Sequence, residues 1–164
     1  MYKFDGFSLI NDETNEKISI GDNFDKVKAW FPDRSFEDGF ITLGLRVDDV
    51  IFGNCKGWAM ITVILNEVTR FEMVVKKPNI LNYAKRLEDR NDLFSQVMSV
   101  MNYKYGQGYY VSYKACKGVH FGDITNADQR ILYQKDGYVG LVLFTNRPDY
   151  FKLRVHTKKG EIKL

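Results

Sequence analysis

One stretch, from Pro78 to Gly106, keeps a helical beat, and it restricts the folds open to this chain more than any other segment. Ile80, Ala84, Leu87, Phe94, Met98, Met101 and Tyr105 recur at spacings of three, four and seven, the signature of one apolar helix face. Pro78 precedes the stripe and Gly106 follows it, the usual punctuation of a helix. The polar run Glu88-Asp89-Arg90-Asn91-Asp92 interrupts it. That predicts either a kink or two helices, the second capped by Asp89 or Asn91. On both sides of this segment the apolar pattern turns strand-like, so the expected centre of the molecule is a long helix with β-structure before and after it.

The N-terminal flank opens with a short apolar alternation from Phe4 to Ile10, a polar turn, and then Ile18-Ser19-Ile20 before Gly21. Phe24, Val27, Trp30 and Phe31 mark one face of a short helix that Asp22 or Asn23 would cap and Pro32 would end. Strand-like runs at 40–47, 50–52, 58–65 and 68–76 are separated by turn-sized intervals. They read as an antiparallel meander with 61–65 central, because that run is apolar on both faces. After the helix come runs at 109–116, 118–121, 131–135, 138–145, 150–157 and from 162 to the end. Asp136-Gly137 is the strongest hairpin signal, and Lys158-Lys159-Gly160-Glu161 is a weaker one. The expected fold is therefore α+β: antiparallel β meanders packed around one long helix, kinked or not, plus a short N-terminal helix. A strongly bent sheet on the long helix satisfies the same pattern. The 164 residues suit a single domain, with two halves of similar plan, 1–76 and 77–164, as an alternative organisation.

Two cysteines, Cys55 and Cys116, are too few for a disulfide framework, and the first residues carry no apolar run of the secretory kind. No run approaches the roughly 18 apolar residues of a membrane helix. These features point to a cytoplasmic protein without a membrane role. Cys116 and His120 lie close in sequence beside Asp123, but on a strand they would stand about 13 Å apart, too far for the base to take the thiol proton. Two cysteines and two histidines without CxxC, HxH or HExxH spacing do not make a zinc site. Gly106-Gln107-Gly108 follows a helix instead of leading into one, so it is a C-cap and not a phosphate cradle. No catalytic set, metal site or cofactor is expected.

Charge is distributed unevenly. Residues 1–75 hold 8 Lys and Arg against 13 Asp and Glu, net −5, and residues 76–164 hold 16 against 8, net +8. The acidic concentration lies between Asp22 and Asp49: Asp22, Asp25, Asp33, Glu37, Asp38, Asp48 and Asp49, interleaved with Trp30 and Phe36. Carboxylates that steer and aromatic rings that anchor are what capture of a cationic protein partner requires. The same Asp residues also suit turns and caps.

The basic counterpart is the alternation in Tyr150 to Thr157, where Lys152, Arg154 and His156 share one side and Lys158 continues the row. With Tyr103, Lys104, Tyr105, Tyr109, Tyr110, Tyr113, Lys114 and Lys117 nearby, such a face would suit nucleic acid. An edge strand shielded by lysines gives the same alternation.

The segment Lys17-Ile18-Ser19-Ile20-Gly21-Asp22-Asn23-Phe24-Asp25-Lys26-Val27 resembles the strand, glycine, cap and helix opening of small bacterial α+β proteins. These are the toxin-immunity proteins, and the repeat unit of β-lactamase inhibitory and outer-membrane assembly proteins. The second group is exported, which this chain's start does not match. The first resemblance implies a non-catalytic cytoplasmic inhibitor that plugs or covers a toxin, and the acidic surface suits a cationic toxin domain. It carries over no functional residue, because the matched positions are structural.

Overall fold

The computed structural model describes residues 1–116 and 127–162, the side chains of residues 115 and 116 excepted. Ten strands form one mixed sheet: β1 (Tyr2–Phe4), β2 (Ser8–Asn11), β3 (Lys17–Ser19), β4 (Thr42–Phe52), β5 (Cys55–Ile64), β6 (Glu67–Pro78), β7 (Tyr109–Tyr110), β8 (Gln129–Lys135), β9 (Tyr138–Asn146) and β10 (Tyr150–Lys159). Two α-helices accompany them, α1 (Phe24–Trp30) and α2 (Tyr83–Tyr105), with a 3-10 turn at Tyr113–Cys116. The strand order is β3-β2-β1-β4-β5-β6-β10-β9-β8-β7. Every pairing is antiparallel except β1 with β4.

This arrangement corrects the expected fold. The class is α+β with an antiparallel-dominated sheet, but there are no meanders wrapped around a central helix. Both β blocks belong to a single, mostly β architecture, joined where β10 pairs with β6 over nine residue pairs from Tyr150↔Pro78 to Lys158↔Arg70. Alternation along a strand records which side chains share a face and says nothing about the neighbouring strand, so this junction between positions some eighty residues apart left no local mark.

Alternation does define the faces. Phe151, Leu153, Val155 and Thr157 of β10 lie on one face with Phe71, Met73 and Val75 of β6 and Val142 and Phe144 of β9, all buried. With α1, α2 and β1–β3 this face builds the main core. Helix α2 contributes Leu93, Val97, Met101 and Tyr105, a strict i, i+4 ridge. The predicted stripe was therefore displaced: Met101 and Tyr105 are buried, Phe94 and Met98 partly so, whereas Ala84 is exposed. The helix starts at Tyr83 under the Asn82 cap, whose side chain accepts from the Lys85 amide at 3.0 Å, and it continues unbroken past Asn91. Pro78 ends β6 instead of introducing the helix. Gly140 allows the close seating of α2, since a Cβ there would lie 2.6 Å from Met101 Cε.

The opposite face carries a smaller cluster of Leu132, Val139, Leu141 and Leu143 with Ala127 and Ile162. Beside it runs the cationic row of β10.

Two local predictions that depend on turn and cap chemistry hold, and the cap expected at Asp89 or Asn91 does not form. Asn23 caps α1, accepting from the Asp25 amide at 2.8 Å. Asp136 and Gly137 adopt φ of +52° and +80°, closing the β8–β9 hairpin. Lys158 and Lys159 do not turn but remain in β10. The predicted strand at 109–116 shrinks to two residues followed by the 3-10 turn, and the predicted strand at 118–121 lies outside the described residues. Among the described residues no helix is long and apolar enough to cross a membrane.

Candidate interaction surface

The structure divides the predicted acidic set. Asp22 is structural, because its Oδ2 accepts from the Ser19 amide at 2.7 Å and pairs with Lys26 at 3.2 Å. Asp48 pairs with Arg46 at 2.9 Å, and Asp49 with Lys56 at 3.2 Å. Asp49 adopts φ +58° where the β4–β5 register shifts between Val47 and Val50, a bulge position that Asp tolerates. Because β4 is extended, Asp48 stands about 20 Å along the strand from Thr42, so Asp48 and Asp49 are carried away from the remaining acids.

Asp25, Phe36, Glu37 and Asp38 do converge, around a recess of about 320 Å³ beside α1 and the start of β4. Phe36 and Phe40 both meet the Phe24 ring edge-on, at 5.1 and 4.9 Å. This buried ring anchors the segment that presents Glu37 and Asp38. Lys28 and Arg34 also line the recess, but each cation lies over an aromatic ring, Lys28 over Phe24 at 5.7 Å and Arg34 over Phe31 at 5.0 Å. Among the described residues Asp25, Asp33, Glu37 and Asp38 make no ion pair. Trp30 is not part of this recess: it stacks on Tyr2 at 5.7 Å with its rings 16° from parallel. It closes the end of α1 over β1.

The basic strand face is real but is not an edge. β10 lies between β6 and β9, so edge protection does not explain its cations. Its register sets Lys152 opposite Lys76 and Lys158 opposite Arg70, like charges placed directly across from one another. Burial and then Arg154 and Lys76 hold the Lys152 ammonium below its ordinary pKa, and burial and then Arg70 do the same to Lys158. His156, in the middle of the row, is 3% exposed. Burial, then Arg70, Arg154 and Lys158, push it down to about 3. Its Nε2 lies 3.7 Å from Glu72 Oε1, and with the imidazole neutral this is not an ion pair. The tyrosines expected beside the row are elsewhere. Tyr105 is buried, and Tyr109 and Tyr110 sit on β7, three strands from β10, or about 14 Å across the sheet.

Of the possible nucleophiles, Cys55 is buried, donates to Gln96 Oε1 at 3.0 Å, and is held above the usual thiol range by burial. The Cys116 side chain, His120 and Asp123 lie outside the described residues. Among the described residues no group of three His, Cys, Asp or Glu could hold a metal ion.

One feature was missed in the sequence. A recess of about 450 Å³ at the start of α2 is lined by Asn79, Tyr83, Arg86, Arg90, Asn146 and Arg147. Arg86 and Arg90 fall one turn apart, the available signal, but Asn146 and Arg147 reach them only through the β9–β10 turn. No family model, curated protein or solved structure matches the chain.

Proposed function

We propose that the protein acts by binding and not by bond-making, as a cytoplasmic inhibitor that covers a cationic partner domain of the bacterial toxin type. The observation that carries this reading is the recess beside α1. There Asp25, Glu37 and Asp38, none of them in an ion pair among the described residues, surround the Phe36 ring. Three carboxylates against the Lys28 and Arg34 cations leave the recess net negative, which favours a cationic partner, and an anchored aromatic supplies contact once it arrives. The resemblance of residues 17–27 to toxin-immunity proteins supports the same class. Relative to the sequence reading the grip is smaller: Asp22 and Trp30 serve the fold, Asp48 and Asp49 are paired with cations on β4 and β5, and Asp25, Phe36, Glu37 and Asp38 remain as contact residues, with Asp33 exposed outside the recess.

The test is association of the chain with the product of the gene beside its own, followed at two salt concentrations. The native protein is expected to bind faster at low salt, and D33K/E37K/D38K is expected to associate at least about tenfold more slowly with a weaker salt dependence. Equal rates for the two proteins reject this surface.

A second reading, nucleic-acid binding by Lys152, Arg154 and Lys158, is favoured by the register that adds Lys76 and Arg70 to the same row. It requires retardation of nucleic acid that weakens steeply as salt rises.

A further inference from the structure

The recess at the start of α2 concentrates positive charge where the fold does not call for it. The first turn of α2 contains no acidic residue, although the amide dipoles of a helix N-terminus favour negative side chains there. Instead Arg86 and Arg90 follow at i, i+4, a like-charge spacing that disfavours a helix by a few tenths of a kcal/mol. Both face the cavity of about 450 Å³. Arg147 enters it from the β9–β10 turn, where its Nη1 donates to Asp128 Oδ2 at 3.3 Å and to the Asn146 carbonyl at 3.0 Å. Among the described residues Arg86 and Arg90 have no carboxylate partner, and none lines the recess. Lys85, on the neighbouring side of the helix, is by contrast paired with Asp89 at 3.0 Å. The sequence therefore pairs Lys85, beside the recess, and gives Arg86 and Arg90 no carboxylate among the described residues.

Asn79 ties down the wall of the recess opposite the helix. Its Nδ2 donates to the Arg147 carbonyl and reaches Asn146 Oδ1 at 3.4 Å, and its amide donates to the Asp149 carbonyl at 3.0 Å. These bonds hold the β9–β10 turn that carries Arg147 against the start of α2. A ligand for the recess needs an anion for the guanidiniums. Tyr83 stands at the mouth, 64% exposed, with Arg86 over one face of its ring at 5.3 Å and its other face able to stack on a planar group. The volume falls in the range of small-molecule sites.

We propose that this recess binds a small phosphate monoester that carries a planar group, of nucleotide size. Arg86 and Arg90 take the phosphate, each guanidinium offering paired N–H donors to its oxygens. Arg147, paired with Asp128, closes the opposite wall, and Tyr83 covers the planar part. The site lies apart from the α1 recess and does not depend on the proposed partner.

The experiment is calorimetric titration of the full chain with adenosine 5′-monophosphate, with inorganic phosphate and with adenosine, at low and at physiological salt. The monophosphate is expected to bind, more tightly than phosphate alone, with affinity falling as salt rises. Adenosine is expected not to bind measurably. R86Q/R90Q, which alters half-buried side chains outside the core, should weaken the monophosphate at least about tenfold, and K85Q should leave it unchanged. Absence of heat with both phosphate compounds at low salt overturns the assignment, as does equal loss in K85Q. Equal affinities for inorganic phosphate and the monophosphate overturn the role of Tyr83.

Discussion

The Tyr105 hydroxyl, on the last residue of α2, donates to the Gly6 carbonyl at 2.9 Å, across ninety-nine residues of chain. The same carbonyl accepts from Thr157 Oγ1 of β10 at 3.0 Å. Gly6 belongs to the β1–β2 turn, and β1 is four strands from β10 in the sheet order. A flat sheet would hold these groups about 19 Å apart, so their contact records how far the N-terminal strands fold back over the main core. Desolvation in this position pushes the Tyr105 phenol well above the usual tyrosine range.

Because one carbonyl oxygen serves both donors, Tyr105→Phe and Thr157→Val should each cost about 1 kcal/mol in denaturant unfolding, the remaining donor keeping the oxygen satisfied. The double variant removes both and leaves a buried acceptor unpaired. Its cost should exceed the sum of the single costs by about 1 kcal/mol or more. Strict additivity would show that Gly6 does not join the two elements.

His156 should make the fold acid-sensitive in a defined window. Burial holds its folded pKa down to about 3, below the ordinary histidine value of about 6.5. As pH falls from about 6.5 the unfolded chain takes a proton that the folded chain refuses. The stabilising contribution of the neutral imidazole is thus complete above about pH 6.5 and is lost progressively between there and about 3. Burial, then Arg70, Arg154 and Lys158, oppose the proton, and the Glu72 carboxylate at 3.7 Å favours it. At about pH 4.5 the loss should be on the order of 2 kcal/mol. His156→Asn should flatten the dependence of unfolding free energy on pH over this range. Carboxylates titrate in both proteins, so the difference between their curves isolates the histidine. Parallel curves would place the ring in a wetter setting than the fold gives it.

Residues whose structure follows from their immediate neighbours were legible in the sequence. Asn23 before Phe24 and Asp136-Gly137 between apolar runs each carry local backbone chemistry, and each behaves as read. Partition of β10 into an apolar and a cationic side was equally legible, since alternation needs no partner. What lay out of reach was who stands beside whom. Nothing in Lys152 announces Lys76, and nothing in Arg90 announces Arg147, because these meetings are set by long-range strand pairing. The α2 ridge was misread for a related reason. Ile80 and Ala84 continue a helical spacing numerically, but residues up to Pro78 belong to β6, so the helix begins later and buries Leu93 and Val97 instead. The acidic set shows the opposite error, since closeness in sequence between Asp38 and Asp48 is undone by an extended strand.

Cys55 should be chemically silent in the native protein. Its thiol is 2% exposed, is hydrogen-bonded to Gln96, and has its pKa raised by burial, which the nearby Lys77 charge opposes without reversing. Thiolate is the reactive form, so burial suppresses both access and ionisation. Iodoacetamide at neutral pH followed by peptide mapping should leave Cys55 unmodified, and denaturant should make it react at the rate of an ordinary thiol. Rapid native modification would mean that β5 opens locally on the timescale of labelling.

The acids of the N-terminal region should separate into two kinds by stability before any partner is added. Asp33, Glu37 and Asp38 are exposed and make no ion pair among the described residues, so D33K/E37K/D38K should unfold within about 0.5 kcal/mol of the native protein. Asp22 instead accepts the Ser19 amide and pairs with Lys26 in front of α1. Asp22→Ala deprives that amide of its acceptor and removes negative charge from the start of the helix, and should cost about 1–2 kcal/mol. This contrast matters for the binding test, because slower association by a variant that retains full stability can be assigned to lost steering and not to a damaged fold. If the triple variant proved as unstable as Asp22→Ala, the three carboxylates would be holding the segment around Phe36 in place. The α1 recess would then be a structural feature and not a surface for capture.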